Sequence, residues 1–293
     1  MRKAATFAFT IALAAAAAAP ASADKDPIRI GYYSYSDVIF TTHVVEHILK
    51  NRMDREVELT KADTGAIYQS VAEGDLDFFT ESWLPDTHSH YVEKVVRDVW
   101  SVGSLYTGAR LGWVVPDYVP EGELDSIEDL KSAGMSEKLD GKIVGIGPGA
   151  GLTKLSKKAM TEYGLKEAGY ELQISSGAGM TAALKRAIEN EEWVVVTGWS
   201  PHWKFARWDL RYIEDPKGVI TSLQHVDTLV HRGFYREHPE VFEMITRMKM
   251  PLQHVQWGMN EGEQSSYPEA ARKYVEKHPD LVEYWVTGEL PGS

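Results

Sequence analysis

"DLDFFTESWLP", residues 75–85, and "WVVVTGWSP", residues 193–201, end alike: an apolar run closes on Trp-x-Pro, at Trp83-Leu84-Pro85 and at Trp199-Ser200-Pro201. Each run has the length and content of a buried strand, and the proline two residues past the tryptophan lacks the N–H that another ladder bond would need. The residues before each run follow one plan. Ahead of the first stand "IRIGYYS" (28–34), a strand; "DVIFTTHVVEHILKNR" (37–52), an amphipathic helix; "EVELTKA" (56–62), a strand; and "GAIYQSVAEG" (65–74), a helix. Ahead of the second stand "KIVGIG" (142–147), "GLTKLSKKAMTEYG" (151–164, closed by Gly164), "YELQISS" (170–176) and "TAALKRAIENEE" (181–192), in the same order. Ile28 to Trp83 and Ile143 to Trp199 are nearly equal in length. Strands that alternate with helices of this size imply parallel pairing through crossovers. The spacing therefore predicts an α/β chain of two similar lobes, each a mostly parallel sheet flanked by helices.

Between the two repeats, "SLYTGARLGWVVPDYVPEGELDSIEDLKS" (104–132) holds a strand-like run followed by Pro116, Pro120 and Gly122, a stretch in which the chain is expected to pass from one lobe to the other. Past "EDPKGV" the alternation gives way to "HVDTLVHRGF" (225–234) and then to helices. Two of those are expected to start at His238-Pro239-Glu240 and His278-Pro279-Asp280, with proline at the first helical position and an acid at the positive helix end. The resulting division is 24–113 for the first part of lobe 1, 114–221 for lobe 2, and 222–293 for a return segment whose helices pack back on lobe 1.

At the other end of the chain, Arg2 and Lys3 precede an apolar stretch from Ala4 to Ala19, and Ala21-Ser22-Ala23 forms a small-residue cleavage site. Residues 1–23 read as a signal peptide, too short to span a bilayer. Its removal would carry the formal net charge from −12 to about −14. Such a surface repels nucleic acid and anionic lipid. The chain has no cysteine. Disulfides and a cysteine-linked lipid anchor are both excluded, which leaves a free periplasmic protein held together by its core. A monomer without a cofactor is expected.

The chemistry-bearing residues cluster at strand ends. Glycines 145, 147, 149 and 151 lie between a strand and a helix, where bare backbone N–H groups and the positive helix end make an anion seat. Gly145-x-Gly147-x-x-Ala150 matches the dinucleotide fingerprint, with Glu167 or Glu171 near the ribose distance. Pro148 removes one of the donors a pyrophosphate would use, and an exported chain is a poor host for a nicotinamide. His43-Val44-Val45-Glu46-His47 spells the inverted zinc-peptidase pattern, so a secreted zinc hydrolase using His43, Glu46 and His47 is the competing reading. His88-Ser89-His90 is a weaker metal pair, because helical neighbours two apart diverge. Trp100, Trp113, Trp193, Trp208, Trp257 and Trp285 read as core aromatics. Trp83 and Trp199 differ: both stand at carboxyl ends of parallel strands, where open α/β sheets bind ligands. Tyr35, in the loop after the first strand, adds a third ring, with Tyr33 a competitor for that role.

Aromatic faces opposed across a cleft suit a quaternary ammonium, which has no N–H to donate and is held by ring faces at about 0.5–2 kcal/mol each. Three faces supply roughly 2–6 kcal/mol, whereas a micromolar complex needs about 8 kcal/mol. The shortfall calls for an anion seat, and the turn at Gly149-Ala150-Gly151-Leu152 together with His88 would serve. A cation cage beside a carboxylate seat describes a betaine.

On "GIGPGAGL", "ESWLPDTHSHYVEK" and "VVVTGWSPHWKFARWDLRYIEDPK", the chain resembles the glycine betaine-binding proteins of ATP-driven compatible-solute importers, over nearly its whole length past the signal. The resemblance implies a two-lobed periplasmic binding protein of type II that closes on its ligand and delivers it to an ABC permease in the inner membrane, with no bond made or broken. It further implies that the backbone N–H groups of Gly151 and Leu152 hold the carboxylate, that His88 assists, and that Trp83 and Trp199 wall the ammonium. The family's third wall is commonly tryptophan; here the loop offers Tyr35 or Tyr33. Asp37 stands where similar choline-binding relatives carry an acid. Carnitine, proline betaine, sulfonium analogues and choline stay open as ligands.

Overall fold

The computed structural model describes residues 26–220 and 222–290, so the export signal expected at 1–23 lies outside the described residues. The first repeat folds as β1 (Ile28–Tyr32), α1 (Ser36–Arg52), β2 (Val57–Lys61), α2 (Thr64–Glu73) and β3 (Phe78–Leu84), followed by a short α3 (Ser89–Val95). A long strand, β4 (Val99–Pro116), leads through a 3₁₀ turn and α4 (Met135–Lys138) to the second repeat. That repeat is β5 (Lys142–Val144), α5 (Gly151–Glu162), β6 (Glu171–Gln173), α6 (Gly177–Glu189) and β7 (Val195–Ser200). The remainder comprises α7 (Lys204–Arg207), β8 (Leu210–Tyr212), β9 (Leu223–His231), α8 (Phe234–Glu237), α9 (Pro239–Arg247), α10 (Leu252–Gln264), α11 (Tyr267–Lys277) and α12 (Pro279–Thr287).

The strands run in the order β2-β1-β3-β9-β4-β7-β5-β6, with β8 paired to β4. Within each repeat the pairing is parallel, β1 to β2 and β3, and β5 to β6 and β7, as crossover helices require. Periodicity did not foretell that the two parallel sets are continuous. β9 lies antiparallel to both β3 and β4, and β4 lies antiparallel to β7, so one curled sheet runs through the molecule. β4 changes partner at Arg110, which pairs with both Leu223 of β9 and Ser200 of β7. The passage between the two sets of strands therefore lies inside β4, within the stretch 104–132 and ahead of Pro116.

Helices cover the sheet where the sequence is apolar on one face. α1 turns Val38, Val44, Val45, Ile48 and Leu49 into the core, all fully buried. α10 and α11 pack on α1. Gly258 of α10 permits this approach, since a Cβ there would fall inside the Phe40 ring. α9 and α12 start at Pro239 and Pro279, each with an acid in the first turn, as expected. Trp113 and Trp285 are fully buried, and Trp193, Trp208 and Trp257 are partly so. Trp100 departs from its core reading. It is 36% exposed and stacks on Tyr235 at 5.1 Å between centroids. Among the described residues no helix is long and apolar enough to cross a membrane.

Candidate ligand-binding site

Trp83 and Trp199 are each the next-to-last residue of their strand, β3 and β7, and both strands end in a cis X-Pro bond. The register places Trp83 opposite Val226 of β9 and Trp199 opposite Leu111 of β4. Both indoles line a single cavity, about 340 Å³ of atom-free space open in part to solvent, whose other walls include Tyr33, Tyr35, Asp37, Thr87, His88, Ile146 and the Ala150-Gly151-Leu152 turn. All seven residues singled out from the sequence, Tyr35, Asp37, Trp83, His88, Gly151, Leu152 and Trp199, thus meet in one place. Tyr33 lines it as well.

The rings are held edge to face. Tyr35 lies T-shaped to Trp199 at 5.7 Å and to Tyr33 at 5.6 Å. Trp83 lies T-shaped to Tyr106 at 6.2 Å, and its Nε1 donates to Glu81 at 3.4 Å. Tyr33 donates its hydroxyl to the Glu81 carbonyl at 2.5 Å, which fixes its ring and ties it to β3. Each ring is therefore oriented by a neighbour.

The same cavity offers donors. α5 begins at Gly151 with Ala150 as its cap, and no side chain caps it. The first-turn N–H groups of a helix have no intrahelical acceptor, so those of Gly151 and Leu152 are left to the cavity. Gly151 is glycine for a second reason. A Cβ there would overlap the backbone oxygen and methyl of Thr87, on the far side of the cleft. His88 is 4% exposed, and its Nδ1 accepts the backbone N–H of Trp83 at 3.1 Å. That bond places the ring proton on Nε2 and makes His88 a neutral donor. Burial, helped by neighbouring His90, pushes its pKa down to about 3.

Behind the aromatic walls lies a group of buried charges that sequence reading missed. Glu81 is fully buried on β3 and accepts from Thr41 at 2.9 Å and from Tyr106 at 2.8 Å. Burial, and then the charge of Asp37, raise its pKa well above the usual carboxylate range. Burial also raises that of Asp37. A hydrogen bond between the two carboxyls pushes Glu81 further up and holds Asp37 down. Lys204 on α7 is fully buried with its Nζ 4.4 Å from the Trp199 ring centre. An acid flanked by "FFT" and "SW", and a lysine between Trp203 and Phe205, were the available signals.

The two repeats also meet beside the cavity, where the Tyr91 hydroxyl of α3 donates to the Gly149 carbonyl at 2.8 Å. Within the first half, Gln224 of β9 accepts from Thr87 Oγ1 at 3.0 Å.

The other patterns resolve differently. In His43-x-x-Glu46-His47, His43 Nδ1 lies 2.7 Å from Glu46 and Lys50 donates to Glu46 at 2.8 Å, pairings that hold its carboxyl down to about 2. The sole three-ligand cluster among the described residues is Asp77, Glu237 and His238, none of them from that motif. Asp77 is already paired with Arg29, through its backbone N–H at 2.7 Å and its guanidinium at 2.5 Å. In the dinucleotide-like turn, the N–H groups of Gly145 and Ala150 are engaged by Gln173 and Gly147 at 2.9 and 3.1 Å, and Glu171 of β6 pairs with Lys142 of β5.

Residues 26–277 match the substrate-binding domain of ABC-type glycine betaine transport systems, the OpuAC family. A curated relative is the glycine betaine/carnitine transport binding protein GbuC of Listeria monocytogenes serotype 1/2a (strain 10403S). It is 32% identical over 185 residues, which cover 63% of this chain and 58% of that protein's length. Among solved structures, lactococcal OpuAC in its closed, glycine betaine-bound conformation superposes with a TM-score of 0.82 at 31% identity, covering 89% of this chain and 100% of that one. The glycine/betaine/L-proline-binding protein ProX of Borrelia burgdorferi gives 0.82 at 30%, over 89% and 97%. The family is one of binding proteins, not of enzymes, so the zinc-hydrolase reading of His43, Glu46 and His47 falls. The match across nearly the whole described fold and the shared curled sheet place this chain in the OpuAC family of ABC-transporter substrate-binding proteins, with the type II periplasmic binding-protein fold.

Proposed function

We propose that the chain captures glycine betaine, or a close zwitterionic quaternary ammonium compound, between two lobes and presents it to an ABC permease from the periplasm. The trimethylammonium group rests on the faces of Trp83, Trp199 and Tyr35, with Tyr33 closing the floor. The carboxylate accepts from the N–H groups of Gly151 and Leu152 and from His88. The lobes divide near residues 113 and 221, and β4 and β9 carry the hinge. The protein works as a free monomer.

The observation that supports this reading is the single cavity lined together by three aromatic rings, an uncapped helix start and a neutral imidazole donor. Ring faces attract a cation that has no proton to share, whereas backbone N–H groups and the positive helix end attract an anion. A ligand carrying both charges satisfies both ends. Tyr91 to Gly149 adds a polar contact between the lobes that favours a closed form. One observation favours a second reading, choline: the Asp37 carboxylate lines the same cavity, and its Oδ1 makes no hydrogen bond.

Equilibrium titration with glycine betaine, carnitine and choline, followed by tryptophan fluorescence, tests the proposal. A saturable response strongest for glycine betaine is expected. No response to any of the three would overturn it.

A further inference from the structure

Two charged side chains beside the cavity each carry a buried polar atom with no hydrogen bond. Lys204 is fully buried, and its Nζ makes no hydrogen bond; it rests over the Trp199 ring at 4.4 Å and near Phe205 at 5.3 Å. Asp37 is 2% exposed, with Oδ1 likewise unbonded. Asp37 lines the cavity and Lys204 does not, so the lysine sits behind the tryptophan and leaves the other indole face to the ligand. A buried ammonium without acceptors is costly to retain, and cation–π attraction offsets only part of that cost. A structural reason would be hydrogen bonding, and there is none.

What remains is charge. Inside a low-dielectric interior, buried charges interact over longer distances than at the surface. Asp37 presents a negative charge to any ligand; alone, it would favour a net cation over a zwitterion. Resting on the betaine reading above, we propose that Lys204 is a specificity-determining residue: its ammonium offsets the Asp37 carboxylate from behind Trp199 and keeps the cavity near neutrality, selecting a zwitterion over a monocation. Their mutual influence has the matching sign. Burial lowers the Lys204 pKa while Asp37 raises it, and Lys204 in turn holds down that of Asp37. Lys204 touches no ligand and acts through the field alone.

Calorimetric titration of glycine betaine and choline into wild type, Lys204→Met and Lys204→Arg tests this. Methionine keeps the length and apolar stem and removes the charge; arginine keeps the charge. The choline-to-betaine affinity ratio is expected to rise at least tenfold in Lys204→Met and to stay within about threefold of wild type in Lys204→Arg. A structural role would weaken both ligands together, and an unchanged ratio in a folded Lys204→Met would overturn the inference while leaving the betaine reading intact. Wild type that binds neither ligand would overturn both. Should Lys204→Met not fold, Lys204→Gln carries the same comparison; failure of both to fold would assign Lys204 to stability and overturn its role in selection.

Discussion

Trp83 is 4% exposed, as Trp199 is, and each belongs at once to the hydrophobic core and to the cavity wall. Their faces are the main attraction a quaternary ammonium could find there. Substituting Trp83, Trp199 or Tyr35 by alanine should each weaken glycine betaine by on the order of 1–3 kcal/mol, read by fluorescence or calorimetric titration. A Tyr35→Ala variant with unchanged affinity would pass that role to Tyr33. His88 makes a separate prediction. Burial keeps it neutral in the fold down to about pH 3, whereas the unfolded chain takes up its proton below about 6.5. The stability it supports is complete above the unfolded value and is lost as pH falls between the two. Urea unfolding at pH 7 and pH 5 should show wild type losing about 2 kcal/mol more than His88→Gln. Equal losses would mean that His88 is already charged in the fold. At this scale the sequence was legible wherever a residue type had one plausible use: an aromatic at a strand tip, a glycine at a helix start. Glu81 and Lys204 were not, since charge inside a strand or short helix ordinarily signals a solvent face, and only tertiary packing buries these two.

Among the elements, α5 does most to define the proposed anion seat. It starts uncapped at Gly151, against the backbone of Thr87. A methyl group at 151 would collide with the Thr87 carbonyl, so Gly151→Ala must move either the helix start or the segment after β3. Glycine betaine affinity is expected to fall more than tenfold while the far-ultraviolet circular dichroism and melting temperature change little. An unaltered affinity would show that the helix start does not reach the ligand. Strands and helices within each repeat were legible because they depend on local period. β9 was not. Its antiparallel pairing with β3 and β4 joins residues far apart in sequence, and no local pattern in "HVDTLVHRGF" names those partners. The change of partner at Arg110 falls inside the stretch 104–132, but its exact place there is a long-range event that no local pattern names.

At the scale of the molecule, one sheet spans both repeats while the cavity lies between them, so closing must be carried by contacts across the cleft. Tyr91 to Gly149 is such a contact, and it makes no part of the cavity wall. Tyr91→Phe should reduce glycine betaine affinity about three- to tenfold, the range of one hydrogen bond, without altering the order of ligands. A change in ligand order would mean that Tyr91 reaches the ligand itself. The central claim is that both halves hold a positive charge by its attraction to ring faces. Calorimetric titration of glycine betaine against 3,3-dimethylbutyrate, which replaces the ammonium nitrogen by carbon at nearly the same shape, separates the hold on the positive charge from shape and apolar contact. The account predicts saturable binding of glycine betaine and binding of the carbon analogue at least a hundredfold weaker; comparable affinities for the two would contradict it.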